Sequence, residues 1–186
     1  MTADRPVRKK SAYHHGDLRS QLVAAIRTLV ERDGPDRFSL AEACRAVGVS
    51  TAAPYRHFTD REDMLRAVCM EGLQRMREDM TAAGAPFTAG SADRIVAIGR
   101  AYLAFATREP GLFRLMFGMA KDHGQSEEMI CEGERAFGTV LAEVAGYLKR
   151  ESVDNEVMSR GFALWTFVHG ISFLRIDGKF GAMNLD

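Results

Sequence analysis

Small and basic side chains follow one another between Ser50 and Arg56. Thr51 and Ala52 are small enough to allow close approach to another surface, and the guanidinium of Arg56 can donate two parallel hydrogen bonds. Guanine presents a matching pair of acceptors in the major groove of DNA. If residues 51–57 form one short helix, its exposed side is suited to reading base edges.

Groups suited to phosphate oxygens stand beside these residues. Tyr55 offers a hydroxyl and His57 an imidazole. Arg61 falls in the first turn of the next predicted helix, where its charge and the helix N-terminus together favour a phosphate. The alternative is that Tyr55 and Phe58 are ordinary core aromatics. We expect Phe58 to be buried, and Tyr55 and Arg56 to face DNA.

Two short helices joined by a glycine turn must position this segment. Ser39 and Glu42 have the spacing of a capping box, which predicts the start of a helix. Gly48 ends that helix, and Ser50 is placed to cap a second one. Pro54 removes one early backbone hydrogen bond from the second helix, so its first turn is expected to be loose. The arrangement is typical of a helix-turn-helix motif.

Longer helices flank the motif. Apolar residues from Leu18 to Val30 fall on one helical face, Asp17 is placed to cap that helix, and Gly34-Pro35 ends it. Thr59 and Glu62 form a second predicted capping box, after which a long helix begins. The apolar residues of that helix are spaced by three and four, at Leu65, Val68, Cys69, Leu73, Met76 and Met80.

Basic charge is concentrated at the front of the chain. Among residues 1–58, ten Arg and Lys oppose six Asp and Glu, whereas 15 oppose 19 in the remainder, and the formal net charge is zero. A basic front on an acidic body suits a polyanion partner at one end. Lys9 and Lys10 belong to an aperiodic arm, residues 1–16, that either enters a minor groove and follows phosphates or is a solvated tail.

The rest of the chain is also predicted to be helical. Helices are expected over residues 92–108, about 126–150 and 155–176, and a short one opens at Pro110. No strand alternation occurs. We therefore predict an all-α protein. Its parts are the arm, a helix-turn-helix DNA-binding domain at residues 17–62, and a ligand-binding and dimerisation domain at residues 63–186.

The segments SLAEACRAVGVS, YRHF and TDREDML, which run from Ser39 to Leu65, resemble the N-terminal domain of the TetR family of transcriptional regulators. The opening SAYHHGDLR and the later WTFVHGISFL are similar to the subfamily named for a Trp…His-Gly signature, here Trp165, His169 and Gly170. The resemblance implies phosphate contacts by Ser39, Tyr55 and His57. It also implies that Arg61 stands where the family commonly has Lys.

Met and aromatic residues are concentrated in the acidic C-terminal half. Deformable Met side chains beside aromatic rings suit a pocket for apolar ligands, and His169 adds a polar group. The alternative for each of these residues is plain core packing. The predicted pocket residues are Met76, Met80, Tyr102, Phe105, Phe113, Met116, Phe117, Trp165 and His169, with Met119 beside them and Gly170 at a position where a larger side chain is expected to shrink the pocket.

The last two long helices are apolar over more than one face. A single chain of this size cannot easily hide both faces, so a two-fold dimer through a four-helix bundle is expected, as the resemblance also implies. The predicted interface residues are Phe137, Val140, Val144, Leu164, Phe167, Val168 and Ile171.

These features favour a homodimeric regulator of transcription. We expect a repressor that a small apolar or amphipathic molecule releases from a roughly palindromic double-stranded DNA operator. One alternative is a thiol redox sensor that acts through Cys131 or Cys69. Another is an enzyme, although no catalytic triad, metal-ligand cluster or phosphate loop has informative spacing. We expect no cofactor, no metal and no membrane segment, and a cytoplasmic location.

Overall fold

A computed structural model describes residues 15–118 and 126–182 of the 186-residue chain. Lys9, Lys10 and Met119 lie outside the described residues. Within them the fold is all-α, as predicted, and contains no strand. The elements are α1 (His15–Asp33), α2 (Leu40–Val47), a 3-10 helix (Pro54–Arg56), α3 (Arg61–Gly84), α4 (Ala92–Arg108), α5 (Pro110–Gly118), α6 (Glu127–Tyr147), α7 (Asn155–Ile176) and α8 (Lys179–Ala182).

Side-chain caps define most helix starts, but the caps predicted for α1 and α3 are wrong. The Asp60 carboxylate, not the Thr59 hydroxyl, accepts the Asp63 N–H at 2.7 Å and caps α3. Asp63 in turn accepts the Thr59 N–H at 2.9 Å, which completes a reciprocal box one residue later than predicted. Because α1 already begins at His15, Asp17 lies inside its first turn and is not its cap.

The head of the molecule consists of α1, α2 and the first turns of α3. Its core contains Leu22, Ile26, Val30, Phe38 and Phe58, all essentially buried, so the predicted burial of Phe58 is confirmed. Apolar periodicity along α1 explains this core, because its inward residues recur every three or four positions.

An ion pair holds α2 against α1. Ser39 accepts the Glu42 N–H and caps α2, as predicted. The Glu42 carboxylate does not return to the cap. It receives two hydrogen bonds from the Arg32 guanidinium, both 2.9 Å long. Bidentate pairing of this kind fixes orientation as well as distance.

The body consists of α3, α4, α5, α6 and α7. Helix α3 leaves the head and continues into the body, where Val68, Leu73, Met76 and Met80 are buried, as their spacing predicted. Helices α4, α5 and α6 pack against it, and α7 packs against α4 and α6. Head and body therefore share one continuous helix of 24 residues.

A buried carboxylate joins head and body. Glu109, between α4 and α5, is 8% exposed. It accepts hydrogen bonds from Arg27 of α1, at 2.9 Å, and from both terminal nitrogens of Arg75 of α3. Burial alone would raise the pKa of Glu109, but the hydrogen bonds from Arg75 and Arg27 outweigh it and lower the pKa to about 2.

Helix α5 also begins directly against α1. The Leu112 N–H donates to the Glu31 carboxylate at 3.0 Å. A Cβ atom at Gly111 would lie 2.9 Å from the Glu31 Cα, so only glycine permits this approach. The N-terminus of α5 is thereby seated on the last turns of the head's first helix.

We predict that Glu109→Gln lowers the free energy of unfolding at pH 7 by about 2–3 kcal/mol, because two guanidinium groups lose their buried counter-charge and are themselves only partly exposed. Urea unfolding measures the change, with exposed Glu78→Gln as the matched control. The lowered pKa means that the carboxylate stabilises the fold above about pH 4.5 and loses this contribution as pH falls toward 2. The difference between wild type and variant should therefore shrink below pH 4.5. A difference independent of pH would contradict the ionic assignment.

Candidate nucleic-acid interface and apolar cavity

The segment after the glycine turn is not the α-helix that the sequence predicted. A turn at residues 51 and 52 leads into the 3-10 helix Pro54–Arg56. Pro54 is fully buried and has no N–H to donate, so α-helical hydrogen bonding cannot run through it. Regular i to i−4 bonding returns only where the Phe58 N–H donates to the Pro54 carbonyl at 3.0 Å. The departure from α-helical hydrogen bonding that the sequence predicted for the first turn therefore extends over the whole segment.

The surface of this segment carries the side chains that the sequence singled out. Pro54 and Phe58 point inward and anchor it, while Thr51, Ala52 and Arg56 are exposed. The Tyr55 side chain is 58% exposed, which excludes the core-packing alternative for this residue. Ser39 and Ser50 are also exposed and His57 is half-buried. The predicted cap by Ser50 is wrong, because no side chain caps the 3-10 helix and the Ser50 carbonyl accepts the Ala53 N–H at 3.0 Å.

Arg61 has an internal role that the sequence analysis did not foresee. Its guanidinium lies 3.8 Å from the centre of the Phe38 ring. One terminal nitrogen donates to the carbonyls of Pro35, Asp36 and Phe38 at 2.9–3.2 Å. One terminal nitrogen of Arg61 therefore holds the loop between α1 and α2, and the phosphate contact stays a prediction for the rest of the guanidinium.

The body encloses an apolar cavity of about 580 Å³. Helices α3, α4, α6 and α7 provide most of its walls, and α5 contributes Phe117. Five predicted pocket residues line it, namely Met76, Met80, Tyr102, Phe117 and Trp165. Its size falls within the range usual for small-molecule sites.

Four predicted pocket residues, among them His169, are not part of the cavity wall. Phe105, Phe113 and Met116 are almost fully buried in the core that underlies the cavity. Gly170 is exposed on α7 and is also outside the lining, so the expectation that a larger side chain there shrinks the cavity is wrong. Helical spacing placed these residues on the correct helices. It could not show which of them border empty space.

His169 lies behind the cavity wall in a cluster of aromatic rings. Its ring stacks on Trp165, with centroids 4.9 Å apart, and contacts Phe117 at 4.6 Å. Its Nδ1 lies 2.8 Å from the Tyr102 hydroxyl. Burial lowers the pKa of His169, which favours the neutral imidazole.

The Tyr102 hydroxyl and Nδ1 of His169 are hydrogen-bonded, and the direction of this bond depends on the tautomer of the imidazole. Burial raises the pKa of Tyr102, which keeps its hydroxyl protonated and able to donate. If Tyr102 donates, the proton of the neutral His169 is on Nε2.

The predicted dimer face is mostly open. Phe167 is 69% exposed and Leu164 39% exposed, while Phe137, Val140, Val168 and Ile171 are half-buried. Val144 is the exception, and its assignment to the interface is corrected. It is 3% exposed and packs inside the chain with Leu141, Ala145 and Val157.

The described residues also bear on the remaining chemical alternatives. Burial raises the pKa of the Cys69 thiol to about 12 and also raises that of Cys44, which makes both poor thiolates at neutral pH. Cys131 is exposed on α6. Within the described ranges no group of three or more His, Cys, Asp and Glu side chains is placed to hold a metal ion. None of the described helices is long and apolar enough to span a bilayer.

Two sequence models of one family match the chain. Residues 22–68, which contain the helix-turn-helix segment, match the bacterial regulatory proteins of the tetR family. Residues 95–186, which contain most of the cavity helices, match the tetracyclin repressor-like C-terminal domain. The chain belongs to the TetR family.

Relatives and solved structures agree with this TetR assignment. A nucleoid occlusion factor SlmA of Vibrio cholerae is 34% identical over 107 residues, which cover 55% of this chain and 52% of that protein. The chain thus spans about half the length of the curated relatives of this kind. An HTH-type transcriptional regulator of Mycobacterium bovis is 22% identical over 199 residues, 89% of this chain and 85% of the relative.

Structural similarity extends over nearly the whole TetR chain. A protein of unknown function from Rhodococcus sp. RHA1 superposes with a TM-score of 0.77 at 28% identity, covering 91% of this chain and 88% of that one. A tetR-family transcriptional regulator from Streptomyces coelicolor gives a TM-score of 0.72 at 14% identity, with coverages of 90% and 73%. At 14% identity, the similarity to the Streptomyces coelicolor protein shows a shared fold and nothing more.

Sequence reasoning missed the buried carboxylates of this TetR chain. Glu132 is 2% exposed and pairs with Arg77 at 2.6 Å and Arg135 at 3.1 Å. Glu143 is 8% exposed and pairs with Arg94 at 2.7 Å. Glu132 and Glu143 place acidic side chains on the inward, otherwise apolar face of α6. This break in the apolar pattern is the local signal that could have identified them. Arg135 lies one turn from Glu132, but Arg77 and Arg94 lie about 50 residues before their carboxylates, so those two pairings leave no local pattern.

We predict that His169 stays in its neutral Nε2–H form as the pH falls from 8 to 6.5, because its lowered pKa and the Tyr102 donor both favour that form. Nitrogen chemical shifts of the imidazole, assigned with a His169→Gln control, report both the charge and the tautomer. A shift pattern typical of Nδ1–H would show that His169 donates to the Tyr102 hydroxyl instead.

Proposed function

We propose that this TetR-family protein is a homodimeric regulator that binds a roughly palindromic DNA operator and acts as a repressor. The observation that carries the proposal is the exposed segment from Thr51 to Arg56, which Pro54 and Phe58 anchor on a helix-turn-helix scaffold. One such segment per chain requires two chains to read two half-sites, about 34–36 Å or a multiple apart. Operator binding implies the compartment that holds the chromosome, the bacterial cytoplasm.

The side chains of the segment divide into two roles. Arg56 is the candidate for base reading, and Thr51 and Ala52 allow the backbone to enter the major groove. Tyr55, with His57, Ser39 and Ser50, supplies hydroxyl and imidazole groups for phosphates. Arg61 keeps its proposed phosphate contact through the guanidinium nitrogens that do not bind the loop before α2. Lys9 and Lys10 keep their proposed role in a minor-groove arm.

The dimer is proposed to form through α6 and α7. Their outward apolar residues are incompletely covered by the described part of the chain: Phe167 and Leu164 are exposed, and Phe137, Val140, Val168 and Ile171 are partly covered. Contiguous exposed apolar surface of this kind marks an interaction site. A symmetric four-helix bundle of α6 and α7 from two copies covers it.

The cavity is proposed to bind the effector, a small apolar or amphipathic molecule. Its lining is almost wholly aliphatic and aromatic, and the Tyr102 hydroxyl is already paired with His169. Exposed Arg100 and Glu134 at its border can meet a polar end. The Trp…His-Gly subfamily assignment belongs to this proposal, since Trp165 lines the cavity and His169 supports it.

Two connections link the cavity to the head. Met76 and Met80 line the cavity on α3, which also begins next to the DNA-reading segment. Phe117 lines it on α5, whose first turn sits on Glu31 of α1. A ligand that shifts either helix changes the spacing of the two heads and weakens operator binding.

We predict that Arg56→Ala changes sequence preference at one operator position, with a loss of about 1–3 kcal/mol of discrimination, because a bidentate base contact is removed. Tyr55→Phe should weaken binding to all sequences by about 1 kcal/mol, as expected for a lost phosphate hydrogen bond. Selection from a randomised operator library measures both effects. The control Arg45→Ala removes the same charge from the exposed side of α2. An unchanged preference for Arg56→Ala would remove its base-reading role.

We predict that Gly99→Leu fills the cavity and blocks effector action. Gly99 lines the cavity, and a Cβ atom built on it meets no heavy atom within 4 Å, so the larger side chain extends into empty space. Binding of the neutral fluorophore N-phenyl-1-naphthylamine should fall at least tenfold, while operator affinity stays at the wild-type value. Exposed Ala104→Leu on the same helix is the control. Wild-type probe affinity in Gly99→Leu would place the ligand elsewhere.

A further inference from the structure

The open wall of the cavity coincides with the exposed face of α7. Leu164 and Phe167 line the cavity, as does Phe162, yet 39%, 69% and 56% of these side chains are accessible to solvent. The opposite wall differs, because Met76, Met80 and Tyr102 are at most 3% exposed. A single chain therefore covers the cavity on the side of α3, whereas exposed Val96 and Arg100 of α4 and the exposed side chains of α7 line its open side.

The same face of α7 is suited to packing against an identical helix. From Gly161 to Leu174 it contains no Asp, Glu, Lys or Arg. Ala163, Thr166 and Gly170 are exposed and are spaced by three and four, so they form a small-residue strip between the larger side chains. A Cβ atom at Gly170 meets nothing within 4 Å, which leaves room for a second helix.

These two observations lead to one inference, which rests on the proposed ligand-binding function and the proposed dimer. We propose that α7 of a second copy covers the open wall, so that the effector site is complete only in the dimer. The occupant is a second copy because an uncharged strip of small residues flanked by large apolar ones complements itself across a two-fold axis. A partner with a charged surface would bury unpaired charge there.

Completion by the second copy couples the two equilibria. An apolar ligand in an open cavity leaves part of its surface in water, whereas a covering helix removes that part from water. The ligand therefore binds the dimer more tightly than the monomer. By linkage, the ligand raises the dimer association constant by the same factor for each occupied site.

Gly170→Arg separates this inference from the ligand proposal itself. Gly170 lies outside the cavity lining, and the new side chain extends from an open position, so the chain should still fold. We expect a monomer in sedimentation velocity and at least a tenfold loss of N-phenyl-1-naphthylamine affinity. Thr166→Arg, also exposed and outside the lining, is the second variant if the first fails to fold. Ala104→Arg on α4 is the charge-matched control.

Each outcome decides a different statement. A folded monomeric variant that binds the probe with wild-type affinity overturns the inference and leaves the cavity as a site within one chain. A variant that remains dimeric shows that the strip of α7 is not the interface, which also overturns it. A wild-type dimer that binds no apolar probe counts against the proposed ligand function instead. For the wild type, the probe should shift the monomer–dimer equilibrium toward the dimer.

Discussion

The buried Glu109 carboxylate determines how the DNA-reading head is placed on the body. A carboxylate removed from water is unfavourable unless other groups replace its hydration. Here the replacements come from Arg27 of α1 and Arg75 of α3. Those two helices and the junction between α4 and α5 must therefore meet within hydrogen-bond distance. The charge thus specifies one arrangement of head and body, whereas apolar packing alone tolerates several.

Helix α5 follows from that arrangement and connects it to the cavity. Its first turn is held by Glu31 and permitted by Gly111, and its last turn brings Phe117 to the ring of His169. Helix α3 provides a parallel connection, since 24 residues at about 1.5 Å each extend roughly 36 Å from the head into the body. A ligand that contacts Phe117 or Met76 acts on rigid elements whose other ends belong to the head. A small displacement of the cavity wall would therefore be transmitted to the head directly through α3 or α5.

The parts of the fold that depend on local patterns were predictable from the sequence. Periodic apolar residues located α1, α3 and the body helices, and Ser39 located the start of α2. The parts that were missed or wrongly predicted are of two kinds. Either two neighbouring residues could fill the same role, or the partner of a residue is distant in sequence. Thr59 and Asp60 can both cap a helix, and in the structure it is the Asp60 carboxylate that accepts the Asp63 N–H. The internal role of Arg61 was missed because the three carbonyls that one of its nitrogens contacts belong to a loop 23–26 residues earlier. Val144 is apolar on a helix with two apolar faces, and only the packing of Val157 decides which face is inside.

The overlap between cavity wall and exposed face has a consequence for regulation. If ligand and second copy cover one another's apolar surface, the ligand stabilises the dimer while it displaces α3 and α5. Loss of operator binding then cannot result from dissociation into monomers, because the ligand opposes that step. The remaining route is a change in the spacing of two heads that stay joined through α7. A rigid junction at Glu109 suits this route, because a flexible head would adapt to the operator at any spacing and no ligand could release it.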